Sequence, residues 1–268
     1  MLFKKHTHRT THQGVEAIEG IIQFQSIRLN VYCYAVDGVL IDTGAKALHK
    51  QFRPFLDEAD VDYVVLSHNH EDHTGNAYYV QQTKNIPVYM SGLTIPIAAK
   101  KPTYPLYRQL FWGRRTPFQA QPLGATFQSR TCDWDVILTP GHAKDHVSFY
   151  NRTRKQLFSG DLFVTPKTKL VLRDESIGET IASLNRVLAY DFDEVFCQHA
   201  GYLPNGRILL EKKRAYLVDL QEKVWAMYQQ GLSEEHIHAQ LFPRKYPLTK
   251  VSGGEWDSKH IVHNILNE

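Results

Sequence analysis

Cysteine is scarce in this sequence, and long apolar runs are lacking. The 268 residues include only Cys33, Cys132 and Cys197, without C-x-x-C spacing. An odd number of cysteines argues against a disulfide framework, so we expect reduced thiols in a cytoplasmic protein. No stretch approaches the roughly 18 to 20 apolar residues that span a bilayer, and the first residues lack the apolar core of a signal peptide. We therefore expect no transmembrane segment.

Acidic residues are absent between His73 and Asp133, a stretch that contains many Lys and Arg residues. Its middle part, residues 94–130, is also rich in aromatic residues. Such a segment suits an anionic substrate with an apolar portion, but it also suits a solvated basic face over a buried aromatic cluster. A membrane-surface role or a subunit contact is a further alternative. The formal charge of the whole chain, +3, is too small to imply a nucleic-acid partner.

Short β-prone runs indicate a mixed α/β fold. Residues 31–36 and 39–41 form two such runs, and the Asp37-Gly38 pair between them is a favoured two-residue hairpin turn. Further runs recur with predicted helices between them, at 63–66, 87–90, 136–138, 146–150, 156–158 and 194–197. Short strands that alternate with helices predict sheets whose faces are covered by helices.

The end of the chain has a different pattern. From about Arg207, apolar residues recur at helical spacing until Gly231, which favours a helix stop. Ser233 then marks a new helix start, and a final helix is predicted through residues 261–266. We therefore predict a main domain over residues 1–205 and a helical C-terminal extension over residues 206–268 that packs on it.

Candidate metal-binding residues follow four of the apolar runs. The first run leads into His68-Asn69-His70-Glu71-Asp72-His73, and three others lead to His142, Asp161 and His199. The ends of strands in α/β folds gather ligands, because the strands are rigid and their loops open into one crevice. The sequence therefore predicts a single site that distant segments build together.

The types of these side chains point to a metal. Three imidazoles and a carboxylate within residues 68–73 would repel or desolvate one another without a cation. Histidine and aspartate suit a borderline divalent ion, with zinc as the first choice and iron or manganese as alternatives. The seven donors exceed what one tetrahedral ion can use. We therefore predict two ions with open coordination positions, which are typical of a catalytic site.

These residues resemble the metallo-β-lactamase superfamily. The H-x-H-x-D-H segment at 68–73 is highly specific, and Thr139-Pro140-Gly141-His142, Ser159-Gly160-Asp161 and His199 follow in the expected order. The resemblance covers roughly residues 15–205. It implies an αββα sandwich with the metals at one edge, so the main domain would be catalytic.

The resemblance also implies a role for each residue. The first metal would be held by His68, His70 and His142, the second by Asp72, His73 and His199, and Asp161 would bridge the two. A hydroxide between the ions would be the nucleophile, and Asp72 or Asp161 would pass a proton to the leaving group. Asp42, in the turn Asp42-Thr43-Gly44, would support a ligand histidine.

Differences from other branches of the superfamily narrow the activity. Antibiotic-degrading members with this motif lack the bridging aspartate, so Asp161 argues against a true β-lactamase. Oxygen-reducing di-iron members replace the second histidine with glutamate, so His70 argues against that branch. The remaining pattern is similar to hydroxyacylglutathione hydrolases and lactonases. We predict a hydrolase that acts on a thioester, lactone or other ester of an anionic small molecule, with no nucleic-acid partner.

Two alternatives from other classes stay open. A non-haem iron persulfide dioxygenase keeps the same ligands, and a phosphodiesterase or ribonuclease could bind a nucleic-acid backbone with the basic stretch. Histidine and aspartate accept several metals, so these residues do not select the ion. The substrate and the oligomeric state also stay open, and an oligomer is compatible with the sequence.

Overall fold

Two large β-sheets form the centre of the protein, for which a computed structural model describes residues 3–268. The first sheet has seven strands in sequential order: β1 (Lys4–His12), β2 (Val15–Phe24), β3 (Ile27–Val36), β4 (Gly38–Ile41), β5 (Val61–Val65), β6 (Val88–Met90) and β7 (Gln121–Pro122). The strands from β1 to β4 are antiparallel, and β4 to β7 are parallel.

The second sheet has six strands in the order β14-β13-β11-β10-β9-β8. They are β8 (Thr126–Gln128), β9 (Asp133–Leu138), β10 (Val147–Asn151), β11 (Gln156–Gly160), β13 (Glu194–Cys197) and β14 (Gly201–Leu203). A separate two-stranded sheet pairs β12 (Val171–Leu172) with β15 (Trp256–Asp257) near the end of the chain.

Helices cover the outer faces of both large sheets. They are α1 (His49–Glu58), α2 (Glu71–Thr74), α3 (Ala77–Lys84), α4 (Ile95–Ala98), α5 (Leu106–Trp112), α6 (Ile177–Leu188), α7 (Gly206–Gln229), α8 (Glu234–Leu241), α9 (Pro247–Val251) and α10 (Lys259–Asn267), with a short 3₁₀ turn at Lys46–Leu48. Within the described residues, none of these helices combines the length and the apolar character that crossing a bilayer requires.

The buried apolar residues divide into three clusters that define the layers. Between the two sheets, Tyr34 and Ile41 of the first sheet pack with Trp134, Phe149 and Phe158 of the second. A second cluster joins the outer face of the first sheet to helices such as α1. A third joins the outer face of the second sheet to α6, α7, α8 and α10. This arrangement is the αββα sandwich that the sequence predicted.

The hairpin predicted at Asp37-Gly38 connects β3 to β4. Val36 pairs with Val39 across the turn, and Asp37 and Gly38 have φ angles of 49° and 83°. Two successive residues with positive φ are typical of a type I′ turn, whose twist matches that of the strands. The prediction is confirmed at this position.

The C-terminal residues form the predicted helices. Helix α7 ends near Gly231, which has a φ of 87°, and the hydroxyl of Ser233 accepts a hydrogen bond from the backbone of His236 at the start of α8. Apolar side chains of these helices lie in the same buried cluster as residues of β11 and β13. The extension therefore packs on the second sheet.

Candidate metal centre

The seven predicted donor side chains lie together at one edge of the two sheets. Each follows a strand: β5 precedes the segment 68–73, β9 precedes His142, β11 precedes Asp161 and β13 precedes His199. The donor atoms form three overlapping groups, each with its atoms within 4.8 Å of one another: His68, His70 and His142; His68, His73 and Asp161; and Asp72, His73 and His199.

Asp161 lies at the centre of these groups. Its Oδ2 is 3.2 Å from His142 Nε2 and 3.0 Å from His199 Nε2. Its Oδ1 is 3.3 Å from His73 Nε2. The carboxylate therefore touches imidazoles from both of the ligand sets that the family resemblance implied.

Several donor atoms are buried and make no hydrogen bond to the described residues. His68 Nε2, His73 Nε2 and Asp161 Oδ1 are all inaccessible to solvent and make no hydrogen bond. His73 Nε2 and Asp161 Oδ1 face each other at 3.3 Å, whereas His68 Nε2 has no hydrogen-bond partner, and such a buried polar atom costs about 1–3 kcal/mol. A divalent cation would use these lone pairs, and the donor set fits such an ion.

The protonation states of the cluster also suit a cation. Burial lowers the pKa values of His68 and His70 well below that of free histidine, which keeps these imidazoles neutral. Burial alone would raise the pKa of Asp161, but the positive charges of His199, His73 and His142 outweigh it and hold that pKa well below its usual value. Against the effect of burial, nearby carboxylates in turn raise the pKa values of these three histidines, so a bound cation would replace their protons. Neutral imidazole and ionised carboxylate are the forms that bind metals.

Asp42 orients one of the histidines from behind. Its Oδ2 lies 3.0 Å from His73 Nδ1 and accepts a hydrogen bond from Ser67 Oγ at 2.8 Å. Its Oδ1 accepts a hydrogen bond from the backbone N–H of Ser67 at 2.8 Å. With a carboxylate at Nδ1, the Nδ1–H tautomer of His73 is favoured and the Nε2 lone pair faces the cluster. Asp42 thus occupies the supporting position that the resemblance implied.

Two other histidines have supporting partners that sequence reasoning missed. His199 Nδ1 lies 2.5 Å from the backbone oxygen of Asn30 on β3, and His142 Nδ1 lies 3.4 Å from Glu175 Oε2. Neither partner stands near its histidine in the sequence, and neither belongs to a recognisable motif. The packing of the two sheets brings Asn30 to His199, and the connection between β12 and α6 brings Glu175 to His142.

His146 supports the backbone of Asp161. Its Nε2 accepts a hydrogen bond from the backbone N–H of Asp161 at 2.8 Å, and its Nδ1 lies 3.0 Å from Thr139 O. Burial lowers the pKa of His146 to about 3, so the ring is neutral. Gly160 permits this approach, because a Cβ there would lie 2.3 Å from His146 Nε2.

In the basic segment 94–130, the aromatic residues and most of the cationic residues lie in different surroundings. Tyr107, Phe111 and Trp112 line a cavity of about 440 Å³ beside the seven candidate donor side chains, hereafter the metal cluster. In contrast, Arg115 donates hydrogen bonds to backbone oxygens of α4, and Arg130 pairs with acidic residues at the start of β5. The segment therefore contributes a mainly aromatic wall to the cavity.

Replacing Asp42 with asparagine is expected to weaken metal binding by about 10- to 100-fold, the usual effect of losing a supporting partner. Asparagine tolerates the positive φ of 58° at this position. Its oxygen would keep the bond from Ser67 N, so its NH₂ group would face His73 Nδ1 and favour the wrong tautomer. Competition with a chromogenic chelator measures the dissociation constant.

Asp37→Asn is the matched control for Asp42→Asn. Asp37 also has a positive φ, but its carboxylate accepts hydrogen bonds from Ser129 and Thr131, which do not belong to the cluster. Equal affinities for wild type and Asp42→Asn would show that Asp42 does not orient a ligand.

The comparisons with known proteins agree with this geometry. The family model described as the metallo-beta-lactamase superfamily matches residues 27–199. "Probable metallo-hydrolase YybB" of Bacillus subtilis is 27% identical over 135 residues, which cover 50% of this chain and 60% of that protein. "Thioesterase pkgB" of Emericella nidulans is 27% identical over 146 residues, 53% of this chain and 37% of that protein. The matches thus span less than two thirds of these relatives.

A solved structure matches over nearly the whole length. The metallo-beta-lactamase family protein TTHA1429 from Thermus thermophilus superposes with a TM-score of 0.68 and 19% identity, over 95% of this chain and 93% of that one. This likeness shows the same fold. The family model matches more than half of the residues, and the solved structure agrees with it in fold. The chain therefore belongs to the metallo-β-lactamase superfamily.

Proposed function

We propose that this chain is a metal-dependent hydrolase that holds two divalent ions, with zinc as the first choice, and cleaves an ester or thioester. The observation that carries the proposal is the convergence of buried donor atoms on His68, His73 and Asp161 next to a cavity. The relative described as a thioesterase supports the type of bond. The free, buried cysteines at 33, 132 and 197 support a cytoplasmic location.

The proposed ligand sets follow the geometry of the cluster. One ion would be held by His68, His70 and His142, the other by Asp72, His73 and His199, with Asp161 between them. Bound ions of this kind lower the pKa of water toward neutrality and polarise a carbonyl oxygen. In this proposal residues 1–205 carry the donors, and residues 206–268 pack on them as an extension.

The two aspartates would handle the proton in the reaction. Asp72 and Asp161 both line the cavity, and both are more than nine-tenths buried. The low pKa of Asp161 keeps that carboxylate ionised. Asp72 Oδ2 lies 3.6 Å from His199 Nε2 and 3.8 Å from His73 Nε2. We assign to these carboxylates the transfer of a proton to the leaving group.

Elemental analysis combined with a substrate panel tests the proposal. We expect about two equivalents of zinc per chain and hydrolysis of at least one thioester or lactone, whereas hydrolysis of phosphodiesters alone would favour a phosphodiesterase. Removing the metal with a chelator should abolish turnover, and adding zinc back should restore it, because the chain has no other activated nucleophile in this proposal. Full activity without metal would contradict it. One iron per chain with oxygen consumption would instead support a dioxygenase.

A further inference from the structure

The cavity beside the metal cluster has an apolar wall of its own. The same cavity of about 440 Å³ reaches His142, Asp161 and His199 and is also bordered by several large apolar side chains, Phe111, Trp112, Leu170, Leu248 and Trp256 among them. A space of this size accommodates a small organic molecule. Its surface indicates which part of a substrate it would hold.

Distant parts of the chain build this wall. Trp112 belongs to α5, Leu248 to α9 and Trp256 to β15. The β15 strand is held in place because Trp256 pairs with Leu172 of β12. The C-terminal extension therefore completes the cavity as well as packing on the second sheet.

The two buried cations that border the cavity already have partners. Arg108 forms ion pairs with Glu71 and Glu255, and Lys213 donates hydrogen bonds to the backbone oxygens of Leu162 and Phe163. Most N–H groups of Arg108 and Lys213 thus already donate hydrogen bonds. The wall around Trp112 and Trp256 is therefore available for apolar contacts.

Two further cations border the same cavity from exposed positions. The side chain of Arg28 is 61% exposed and lies 3.6 Å from Glu19, and Lys169 is also exposed. A charged part of the substrate could reach them without being buried. The cavity thus combines the metal cluster, an apolar wall and exposed positive charge.

We propose that the apolar wall is an acyl-binding subsite, so that the substrate is an ester or thioester of an apolar acyl group rather than of a short polar one. This inference rests on the proposed hydrolase function. The acyl chain would lie against Trp112, Leu248 and Trp256, with its carbonyl at the metal cluster and an anionic leaving portion toward Arg28 and Lys169. Catalytic turnover would then select substrates by the apolar area that they bury.

A series of acyl thioesters from acetyl to decanoyl tests the subsite with the metal-loaded full chain. Burying one methylene contributes about 0.8 kcal/mol, so kcat/KM should rise about fourfold per added CH₂ until the wall is covered. In parallel, calorimetric titration with hexanoate, octanoate and decanoate measures binding without turnover. The dissociation constants should fall by a similar factor per CH₂.

Variants of the wall provide the matched comparison. Trp112→Ala and Trp256→Ala should each reduce the preference for decanoyl over butyryl thioester by about tenfold or more, since each removes a large apolar surface. Trp225→Ala is the control, because Trp225 lies on α7, is 38% exposed and does not border the cavity. Thermal unfolding of each variant shows whether it folds, and the wild-type titrations stand independently of the variants.

The outcomes separate the subsite from the hydrolase. Turnover with no dependence on chain length overturns the subsite and leaves the hydrolase intact. Chain-length-dependent binding without turnover of any ester supports the subsite and contradicts the hydrolase. Dissociation constants that are equal across the alkanoates, or equal losses in Trp225→Ala and Trp256→Ala, overturn the subsite.

Discussion

Asp161→Ala is expected to lower kcat/KM by about a thousandfold or more and to reduce the bound metal below the wild-type amount. The carboxylate contacts His142 and His199 through one oxygen and His73 through the other. Removing it takes away the single group common to both proposed ligand sets. Metal ions contribute several kcal/mol to the stabilisation of a transition state, and about 4 kcal/mol corresponds to three powers of ten in rate.

Two measurements check this expectation together. Elemental analysis gives the metal per chain, and initial rates on the best substrate of the panel give kcat/KM. Asp219→Ala is the matched control, because Asp219 is an exposed aspartate on α7 that pairs with Lys223 and does not border the cavity. Wild-type metal content and turnover in Asp161→Ala would exclude a bridging role for this carboxylate. An effect confined to kcat at full metal content would assign Asp161 to proton transfer alone.

The core strands, and the positions of the candidate donors after them, were predictable because their signals are local. Each donor stands directly after an apolar run, and the H-x-H-x-D-H segment concentrates most of them within residues 68–73. Strands that are buried on both faces, such as β10 and β11, read as short apolar runs. The Asp37-Gly38 turn carries its own backbone preference. These features depend on few residues at a time.

The N-terminal strand β1 was missing from the sequence predictions for a physical reason. Strand β1 is polar and mostly exposed along its length, so it has no apolar alternation. It is held by backbone pairing with β2 over nine residue pairs, from Lys4 with Gln23 to His12 with Val15. Hydrogen bonds between backbones leave no pattern in the side chains, so only the folded partner reveals such an edge strand.

Tertiary contacts explain the other omissions. Asn30 and Glu175 support His199 and His142 from elements far away in the sequence. With the boundary set between residues 205 and 206, the sequence predicted only that the C-terminal extension packs on the main domain. Leu248 and Trp256 border the cavity because β15 pairs with β12. Each of these strands has two residues, which is too short to be recognised in the sequence.

Arg108→Met is expected to destabilise the fold by about 3–5 kcal/mol, the usual cost of removing one partner of a buried ion pair. Arg108 Nε and Nη2 donate to the two oxygens of Glu71 at 2.6 Å and 2.7 Å. The side chains are 15% and 2% exposed, so solvent screens this pair only weakly. Arg108 also contacts Glu255 at 3.3 Å, which links α5 to the C-terminal extension. Methionine keeps the apolar part of the side chain and removes only the charge.

The pH dependence of this loss distinguishes an unpaired charge from lost packing. Burial already raises the pKa of the Glu71 carboxyl against the opposing effect of Arg108, and without the guanidinium that pKa would rise further. A carboxyl whose pKa is higher in the folded state loses its stabilising contribution as the pH rises through that folded value. The melting temperature of Arg108→Met should therefore fall further below wild type at about pH 8 than at about pH 5. Glu71→Gln combined with Arg108→Met should recover part of the loss, because no buried charge then lacks a partner.

Arg130→Met is the control for removing an arginine with two acidic partners, since Arg130 pairs with Asp60 and Asp62 while its side chain is 41% exposed. Solvent screens such pairs, so its melting temperature should change little. If Arg108→Met were no less stable than Arg130→Met at either pH, the contact between Arg108 and Glu71 would not hold α5 against the metal-binding turn. A loss of stability in Arg108→Met alone would instead show that α5 helps to hold the metal-binding turn in place, because Glu71 lies within the donor segment itself. The position of the metal donors would then depend on the same helix that forms the aromatic wall of the cavity.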